Sequence, residues 1–221
     1  MINEINIEDI VKIAKDAGNA IMDIYNQDFE VEYKQDNSPL TLADKQAHSI
    51  IEFGLNKLEV NLPILSEEGG SVPYKERRFW EYFWLVDPLD GTKEFVSKNG
   101  EFTVNIALIH KGEPALGVVY APELDVCYWA KKDMGAFKDG KKLPFKAKKR
   151  SETYKIAISR SHMSYKTQEF VDSIDTNKEK ELIPIGSSLK ICLVAEGSVD
   201  IYPRLGPTME WDIGAAHAIV N

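Results

Sequence analysis

The sequence has few cysteines, no long apolar run and no excess of positive charge, and each absence excludes a class of protein. Only 2 cysteines occur in 221 residues, too few for a disulfide framework or a sulfur-ligated metal site, and we expect both in the core. No apolar run approaches the ~20 residues of a membrane-spanning helix, and the N-terminus lacks a signal-peptide pattern. We therefore expect a cytoplasmic protein.

The net charge of -8 argues against general nucleic-acid binding, which requires a concentrated basic surface. A basic run at residues 138–150 is the exception. We interpret it as a solvated hairpin edge, because lysines commonly protect exposed strands from pairing. Contact with RNA, or peripheral contact with the inner face of the cell membrane, is the alternative. The sequence predicts no particular oligomeric state.

The segment WLVDPLDGTKEF, residues 84–95, places two carboxylates where a predicted strand ends. The apolar run 83–86 is typical of a buried strand, and Asp87 and Asp90 follow it in a turn that contains proline and glycine. Residues 92–97 then predict a helix, whose first N–H groups would face an anion held by the same turn.

Asp, Pro and Gly are also ordinary turn residues, but further acidic motifs favour a metal site. Glu67 follows another short apolar run, and Asp212 opens an alanine-rich helical stretch. Hard oxygen donors at Glu67, Asp87, Asp90 and Asp212, with no Cys or His nearby in sequence, suit Mg²⁺ better than zinc.

Apolar periodicity predicts strands and helices in alternation along the rest of the chain. The predicted helices are 7–24, 41–55, 92–97, 168–174, 188–195 and 209–219, and the predicted strands are 29–34, 62–65, 83–86, 102–109, 115–120, 126–130, 135–138, 155–159, 182–185 and 199–202. The strand-rich middle predicts an antiparallel meander, and the later alternation predicts a second α/β unit.

Four motifs, at residues 36–44, 66–68, 87–92 and 211–215, resemble in order those of the inositol monophosphatase superfamily. Within it, residues 84–95, 99–107, 117–122 and 186–190 are similar to the bacterial 3'(2'),5'-bisphosphate nucleotidases. The resemblance covers nearly the whole chain.

The resemblance implies an α/β, or α+β, sugar-phosphatase fold with α-β-α-β-α layers. An N-terminal lobe with an antiparallel sheet, residues 1–150, would bind metal, and a smaller α/β lobe, residues 151–221, would bind substrate. Related chains continue beyond the helix that follows Trp211 and Asp212, so we expect the second lobe to be incomplete.

The resemblance also implies two or three Mg²⁺ ions per site and sensitivity to lithium. Glu67, Asp87 and the Leu89 carbonyl would hold the first ion, which activates water. Asp87, Asp90 and Asp212 would hold the second, which neutralises the ester oxygen.

Asp44 has two interpretations. From the residues alone, Thr41 and Asp44 form a capping pair at a helix start. By resemblance, Asp44 pairs with Thr92, and these two with Glu67 orient the attacking water. Both roles can coexist at one helix start.

The predicted substrate-binding residues are Leu89, Asp90, Gly91, Thr92, Arg160, His162, Gly186, Ser187, Ser188, Lys190, Tyr202, Arg204 and Asp212. Several have a plainer interpretation. Ser187 is suited to capping a helix, Arg160 to an exposed surface position, and Tyr202 and Arg204 to packing. Together, the donors in the second lobe favour a substrate with two phosphates.

The predicted activity is Mg²⁺-dependent hydrolysis of adenosine 3',5'-bisphosphate to AMP and phosphate in sulfur assimilation, with the sulfated nucleotide PAPS as a further candidate substrate. Hydrolysis of inositol-1-phosphate at the same site is one alternative. A nucleic-acid-binding regulator with a vestigial phosphatase site is the other.

We predict that Asp90→Asn or Asp212→Asn abolishes phosphate release and leaves the fold intact, because each removes a carboxylate from the proposed metal site. Phosphate release and circular dichroism measure the two effects. Near-normal activity in both variants would refute the two-metal assignment.

Overall fold

The computed structural model describes residues 1–33, 39–144, 152–161 and 163–221. Within them the helices are α1 (Ile7–Tyr25), α2 (Leu42–Asn56), α3 (Tyr74–Arg77), α4 (Thr92–Val96), α5 (Tyr165–Ser173), α6 (Leu189–Glu196) and α7 (Glu210–Val220), after a short 3-10 turn at Ile2–Glu4. The strands are β1 (Val31–Tyr33), β2 (Pro39–Thr41), β3 (Ile64–Ser66), β4 (Tyr82–Asp90), β5 (Thr103–His110), β6 (Glu113–Ala121), β7 (Val126–Lys131), β8 (Gly135–Lys138), β9 (Lys141–Lys142), β10 (Thr153–Ser159) and β11 (Glu179–Ile185).

Seven of the described strands form the main sheet, in the order β3-β4-β5-β6-β7-β8-β9. All neighbouring strands are antiparallel except β3 and β4, which run parallel. The predicted meander is therefore confirmed. Strands β1 and β2 form a separate antiparallel pair, and β10 and β11 form a parallel pair connected through α5.

Alternate side chains of the central strands enter two different cores. On one face, Val104, Ile106 and Leu108 of β5 pack with the buried sides of α1 and α2. On the other, Ala107 and Ile109 pack with residues of α6 and α7. Both faces of the main sheet are thus covered by helices.

The predicted α-β-α-β-α layering is confirmed. Helices α1 and α2 form the first layer, the main sheet the second, and α6 and α7 the third. Beyond α6 lies the β10–β11 pair, and Lys180 of β11 bonds to the Val171 and Asp172 carbonyls near the end of α5. The division at residue 150 stays a prediction, since α6 and α7 pack on the sheet of the preceding part.

Several predicted elements differ from the structure. Strand β11 begins three residues before its predicted start. Strand β4 continues four residues past its predicted end, through Asp90. Helix α5 begins earlier than predicted because the Ser164 hydroxyl accepts a hydrogen bond from the Thr167 N–H and caps it. The predicted strand 199–202 is reduced to one bridge, between Ile201 and Ile156.

Other expectations concern single residues. Cys127 and Cys192 are both unpaired and buried, as predicted. Among the helices in the described ranges, none is long and apolar enough to cross a membrane. Residues 145–150 of the basic run and residues 36–38 of the first motif lie outside the described part of the chain.

Gly117 of β6 allows α7 to lie against the sheet. A Cβ atom at this position would lie 2.2 Å from the Ala215 carbonyl oxygen and 2.8 Å from the Ala218 Cβ. Since the obstacle is helix backbone, no side-chain rotation relieves it. The position of α7, and of Asp212 in its first turn, therefore depends on this glycine.

We expect Gly117→Ala to lower the free energy of unfolding by at least about 2 kcal/mol, because α7 must move away from the sheet. Urea denaturation measures the change. Gly70→Ala is the matched control, since a Cβ atom at that position has no heavy atom within 4 Å. An unchanged urea midpoint for Gly117→Ala would contradict the described docking of α7.

Candidate active site

A pocket of about 260 Å³ opens where the end of β4 meets the first turns of α4, α6 and α7. Most of the predicted site residues line it. These are Glu67, Asp87, Leu89, Asp90, Gly91, Thr92, Gly186, Ser187, Ser188, Lys190, Tyr202, Arg204 and Asp212.

A β-bulge brings Asp87 and Asp90 to the same side of β4. The ladder with β5 pairs Asp87 with Asn105, but pairing resumes at Asp90 after two residues of β4 have opposed one of β5. In a regular strand, side chains three residues apart would point to opposite faces. The extra residue shifts the alternation of side chains between the two faces of the sheet. As a result, Leu89 enters the core beside α1 and α2, and Asp90 lines the pocket.

The Asp87 carboxylate is buried, with only 1% of the residue exposed. Burial raises its pKa well above the ordinary value, and the negative charges of Glu67, Asp90 and Asp212 raise the pKa further. Like charges in a poorly hydrated site repel each other. The cluster is therefore suited to holding a proton or a cation.

Asp90 is held from β5 and from the start of α6. Its Oδ2 accepts hydrogen bonds from the Ser188 hydroxyl at 2.7 Å and from the Asn105 side-chain amide at 3.2 Å. Burial raises the pKa of Asp90 to about 6, although the Lys190 charge and these two hydrogen bonds act in the opposite direction.

Asp212 lies in the first turn of α7 and stabilises the start of that helix. Its Oδ2 accepts hydrogen bonds from the Thr208 hydroxyl at 2.7 Å and the Met209 N–H at 3.0 Å. The same carboxylate lines the pocket. Helix capping therefore fixes the direction of a candidate metal ligand.

Asp44 combines the two arrangements that the sequence suggested. Its Oδ2 accepts hydrogen bonds from the Thr41 N–H and hydroxyl, each at 2.7 Å, as a capping residue does. Its Oδ1 lies 3.2 Å from the Thr92 hydroxyl, which also lies 3.2 Å from the Leu89 carbonyl oxygen. Asp44 is buried behind Thr92, and its part in catalysis stays a prediction.

Two cationic side chains line the same pocket as the carboxylates, and the Lys190 ammonium donates to the Ser187 and Ile185 carbonyls. Lys190 is buried, and burial lowers its pKa although Asp90 and Glu94 act against this. The Lys190 ammonium lies 5.6 Å from the centre of the Tyr202 ring. Arg204 donates from Nη2 to the Pro207 carbonyl at 2.8 Å, whereas its buried Nε has no partner among the described residues.

Arg160, predicted to bind a phosphate, is not among the described residues that line the pocket. Its Nε and Nη2 donate to the two carboxylate oxygens of Glu101 at 2.8 and 2.6 Å, and the Gly186 N–H donates to the same carboxylate at 2.7 Å. This pair joins β10 to the loop before β5. His162 lies outside the described residues, and substrate binding by both residues stays a prediction.

The donor set fits a hard cation. Within the described ranges, no three Asp, Glu, His or Cys side chains already stand in an arrangement that would hold a metal ion, so the proposed ligands would have to adjust when an ion binds. Mg²⁺ does not require such a cage, because it is usually bound by one or two carboxylates, waters and substrate phosphates. Burial and the neighbouring carboxylates raise the pKa of Asp87, and a cation beside it would offset both effects.

Comparison with known proteins identifies the family. The model of the inositol monophosphatase family matches residues 5–221. The chain belongs to this family.

Curated relatives in the family include 3'(2'),5'-bisphosphate nucleotidases named CysQ. The protein from Salmonella typhimurium is 47% identical over 217 residues, covering 96% of this chain and 86% of the relative. The protein from Escherichia coli K12 is 45% identical with the same coverage.

Solved structures agree with this family assignment. The crystal structure of CysQ from Bacteroides thetaiotaomicron has a TM-score of 0.84 and 42% identity, covering 96% of this chain and 84% of that one. The suhB protein of Bartonella henselae has a TM-score of 0.80 and 26% identity, covering 97% and 83%. The fold of the family is therefore established for this chain.

Two buried polar residues near the site, Asn105 and Glu94, are among those missed from the sequence. Asn105 touches Asp90 from β5, and its signal was a polar side chain within an apolar strand. Glu94 is buried, lines the pocket and accepts a hydrogen bond from the Ser161 hydroxyl at 2.6 Å. Only its place in the family motif could have indicated a role for Glu94. A glutamate in a short predicted helix is ordinarily interpreted as a surface residue.

We expect the stability of the metal-free protein to depend on pH through Asp90. Because its pKa is about 6 in the fold and 3.8 ordinarily, the folded state binds more protons between these values, and stability falls as pH rises through this window. Relative to Asp90→Asn, the wild type should lose about 1–2 kcal/mol from pH 4 to pH 6, and little more above it.

Urea denaturation in EDTA at several pH values measures this difference. Asparagine at position 90 retains an oxygen that can accept from Ser188, which makes it the matched variant. A difference between the two proteins that is constant with pH would show that Asp90 titrates normally in the fold.

Proposed function

We propose that this chain is a 3'(2'),5'-bisphosphate nucleotidase that hydrolyses adenosine 3',5'-bisphosphate to AMP and phosphate, with PAPS as a further substrate. The observation that carries the proposal is one pocket lined both by the carboxylates of Glu67, Asp87, Asp90 and Asp212 and by the cationic side chains of Lys190 and Arg204. Relatives named as such nucleotidases are 45–47% identical over most of the chain.

The charged groups of the pocket suit a substrate with two phosphates. A phosphate beside the carboxylates requires a cation between the negative groups, whereas a second phosphate could pair directly with Lys190 and Arg204. The Lys190 ammonium already donates to the Ser187 and Ile185 carbonyls, but no carboxylate forms an ion pair with it among the described residues, so an anion would balance its charge. A singly phosphorylated polyol would leave these donors without an anion.

Mg²⁺ is the cation we propose, with two or three ions per site. Glu67, Asp87 and the Leu89 carbonyl would hold one ion, and Asp87, Asp90 and Asp212 another. When bound, Mg²⁺ lowers the pKa of water and neutralises charge on phosphoryl oxygens. Lithium sensitivity belongs to the same proposal.

The residues of the chain would orient the attacking water and the phosphate. When the Thr92 hydroxyl donates to Asp44, its lone pairs are left to accept a hydrogen bond from the attacking water, and Glu67 lines the same pocket. Positioning of this kind carries most of phosphoryl transfer, which needs little covalent chemistry from the protein.

The proposal also covers the binding partner of the protein and its location in the cell. The partner is a small nucleotide, not a nucleic acid, and we propose a cytoplasmic location in sulfur metabolism. Peripheral contact with the inner face of the cell membrane through the basic run stays a prediction, because residues 145–150 lie outside the described ranges.

Phosphate release from adenosine 3',5'-bisphosphate, 3'-AMP and inositol-1-phosphate tests the proposal, in Mg²⁺ with and without Li⁺. We expect kcat/KM to be highest for the bisphosphate. Lys190→Met should remove its advantage over 3'-AMP, which lacks the second phosphate, because a charged hydrogen bond contributes about 1.5–3 kcal/mol.

Preference for inositol-1-phosphate would keep the metal site and overturn the nucleotide assignment. No release from any substrate, together with salt-sensitive RNA or DNA binding that survives Asp90→Asn, would favour the nucleic-acid-binding alternative.

A further inference from the structure

Asn105 is a buried polar residue in an otherwise apolar strand. It lies within β5, is 1% exposed, and shares its sheet face with Ala107 and Ile109. Its Nδ2 donates to Asp90 Oδ2 at 3.2 Å and to the Ser188 hydroxyl at 2.8 Å. Burying an amide is unfavourable unless its hydrogen bonds are made, so these two contacts account for its place in the strand.

The orientation of the amide follows from its neighbours. Among the described residues, no donor reaches the buried Asn105 Oδ1. Turning the amide over would bring Oδ1 against the Asp90 carboxylate, where two acceptors repel. The unpaired oxygen is thus the consequence of directing both N–H groups of Nδ2 towards Asp90 and Ser188.

Ser188 joins three elements of the site. Its Oγ lies 2.7 Å from Asp90 Oδ2 and 2.6 Å from the Asp212 carbonyl oxygen, and it accepts from Asn105. A hydroxyl carries one proton, so Ser188 donates to one of the two oxygens at a time. It precedes α6 without a capping hydrogen bond from its side chain and is 3% exposed.

We propose that Asn105 and Ser188 are positioning residues that hold the Asp90 carboxylate for cation binding, and that Ser188 does not contact substrate. Both hydrogen bonds fall on Oδ2, which leaves the other carboxylate oxygen for the cation. Partners of metal-ligating carboxylates fix ligand orientation in this way.

Ser188 and Asn105 approach Asp90 from the start of α6 and from β5. Two partners on different elements restrict rotation of the carboxylate. Lys190, whose charge also acts on Asp90, is itself held by the Ser187 and Ile185 carbonyls and does not take the place of these two partners.

The inference rests on the proposed function in taking Mg²⁺ as the cation. Its test is the affinity of the substrate-free protein for Mg²⁺, measured by calorimetry after treatment with EDTA. We expect Asn105→Leu and Ser188→Ala each to weaken Mg²⁺ binding roughly 10- to 100-fold. The double variant should lose less than the product of the two losses, because both act on one carboxylate.

Thr103→Val is the matched control on the same strand. Thr103 is fully buried, and its hydroxyl has no partner among the described residues. The variant therefore removes a buried polar atom without removing a contact, and its Mg²⁺ affinity should stay within about two-fold of the wild type. If Asn105→Leu does not fold, the smaller change Ser188→Ala carries the test.

Mg²⁺ affinities of both variants equal to that of the wild type would overturn the inference, as would a wild type that binds no Mg²⁺. A Ser188→Ala protein with normal Mg²⁺ affinity and a raised KM for adenosine 3',5'-bisphosphate at saturating Mg²⁺ would return Ser188 to substrate binding. Absence of nucleotide hydrolysis by a wild type that binds Mg²⁺ refutes the proposed function and leaves the positioning role standing.

Discussion

Mutual repulsion among buried carboxylates is the constraint on which this structure depends. Asp87 lies in the core with the charges of Glu67, Asp90 and Asp212 acting on it, an arrangement that a fold selected for stability alone would avoid. The surrounding protein compensates only in part, with hydrogen bonds to Asp90 and the Lys190 charge. The remaining imbalance is what suits the pocket to the cation we propose.

Hydrogen bonds that begin helices also orient the candidate site. Asp44 caps α2 and reaches Thr92, while Asp212 caps α7 and lines the pocket. Each carboxylate is fixed by backbone and hydroxyl donors of its own helix start, so its direction relative to that helix is set locally, although the position of the helix itself depends on packing. Carboxylates held in this way need less reorganisation than free ones when a ligand arrives.

Much of this arrangement was predictable because its signals are local. Apolar periodicity predicted α1 and the antiparallel meander. The motif with Asp87 and Asp90 predicted the position of the carboxylate cluster. What sequence could not provide depends on partners far along the chain. Arg160 meets Glu101 across 59 positions, and residues 199–202 have strand-like composition but only one bridge. The bulge that turns Asp90 into the pocket exists only against β5.

Helix α7 lies late in the chain, and it covers the sheet face that carries Leu85 and Ala107. During synthesis, β4 to β7 leave the ribosome well before α6 and α7, so this face is uncovered while the rest of the sheet can already pair. An exposed apolar sheet face favours association with other chains. The first turn of α7 also carries Asp212, so the carboxylate cluster of the pocket is incomplete until this helix packs on the sheet. While this face is uncovered, a nascent chain is exposed to aggregation and also lacks a complete carboxylate cluster, and docking of α7 is needed to end both conditions.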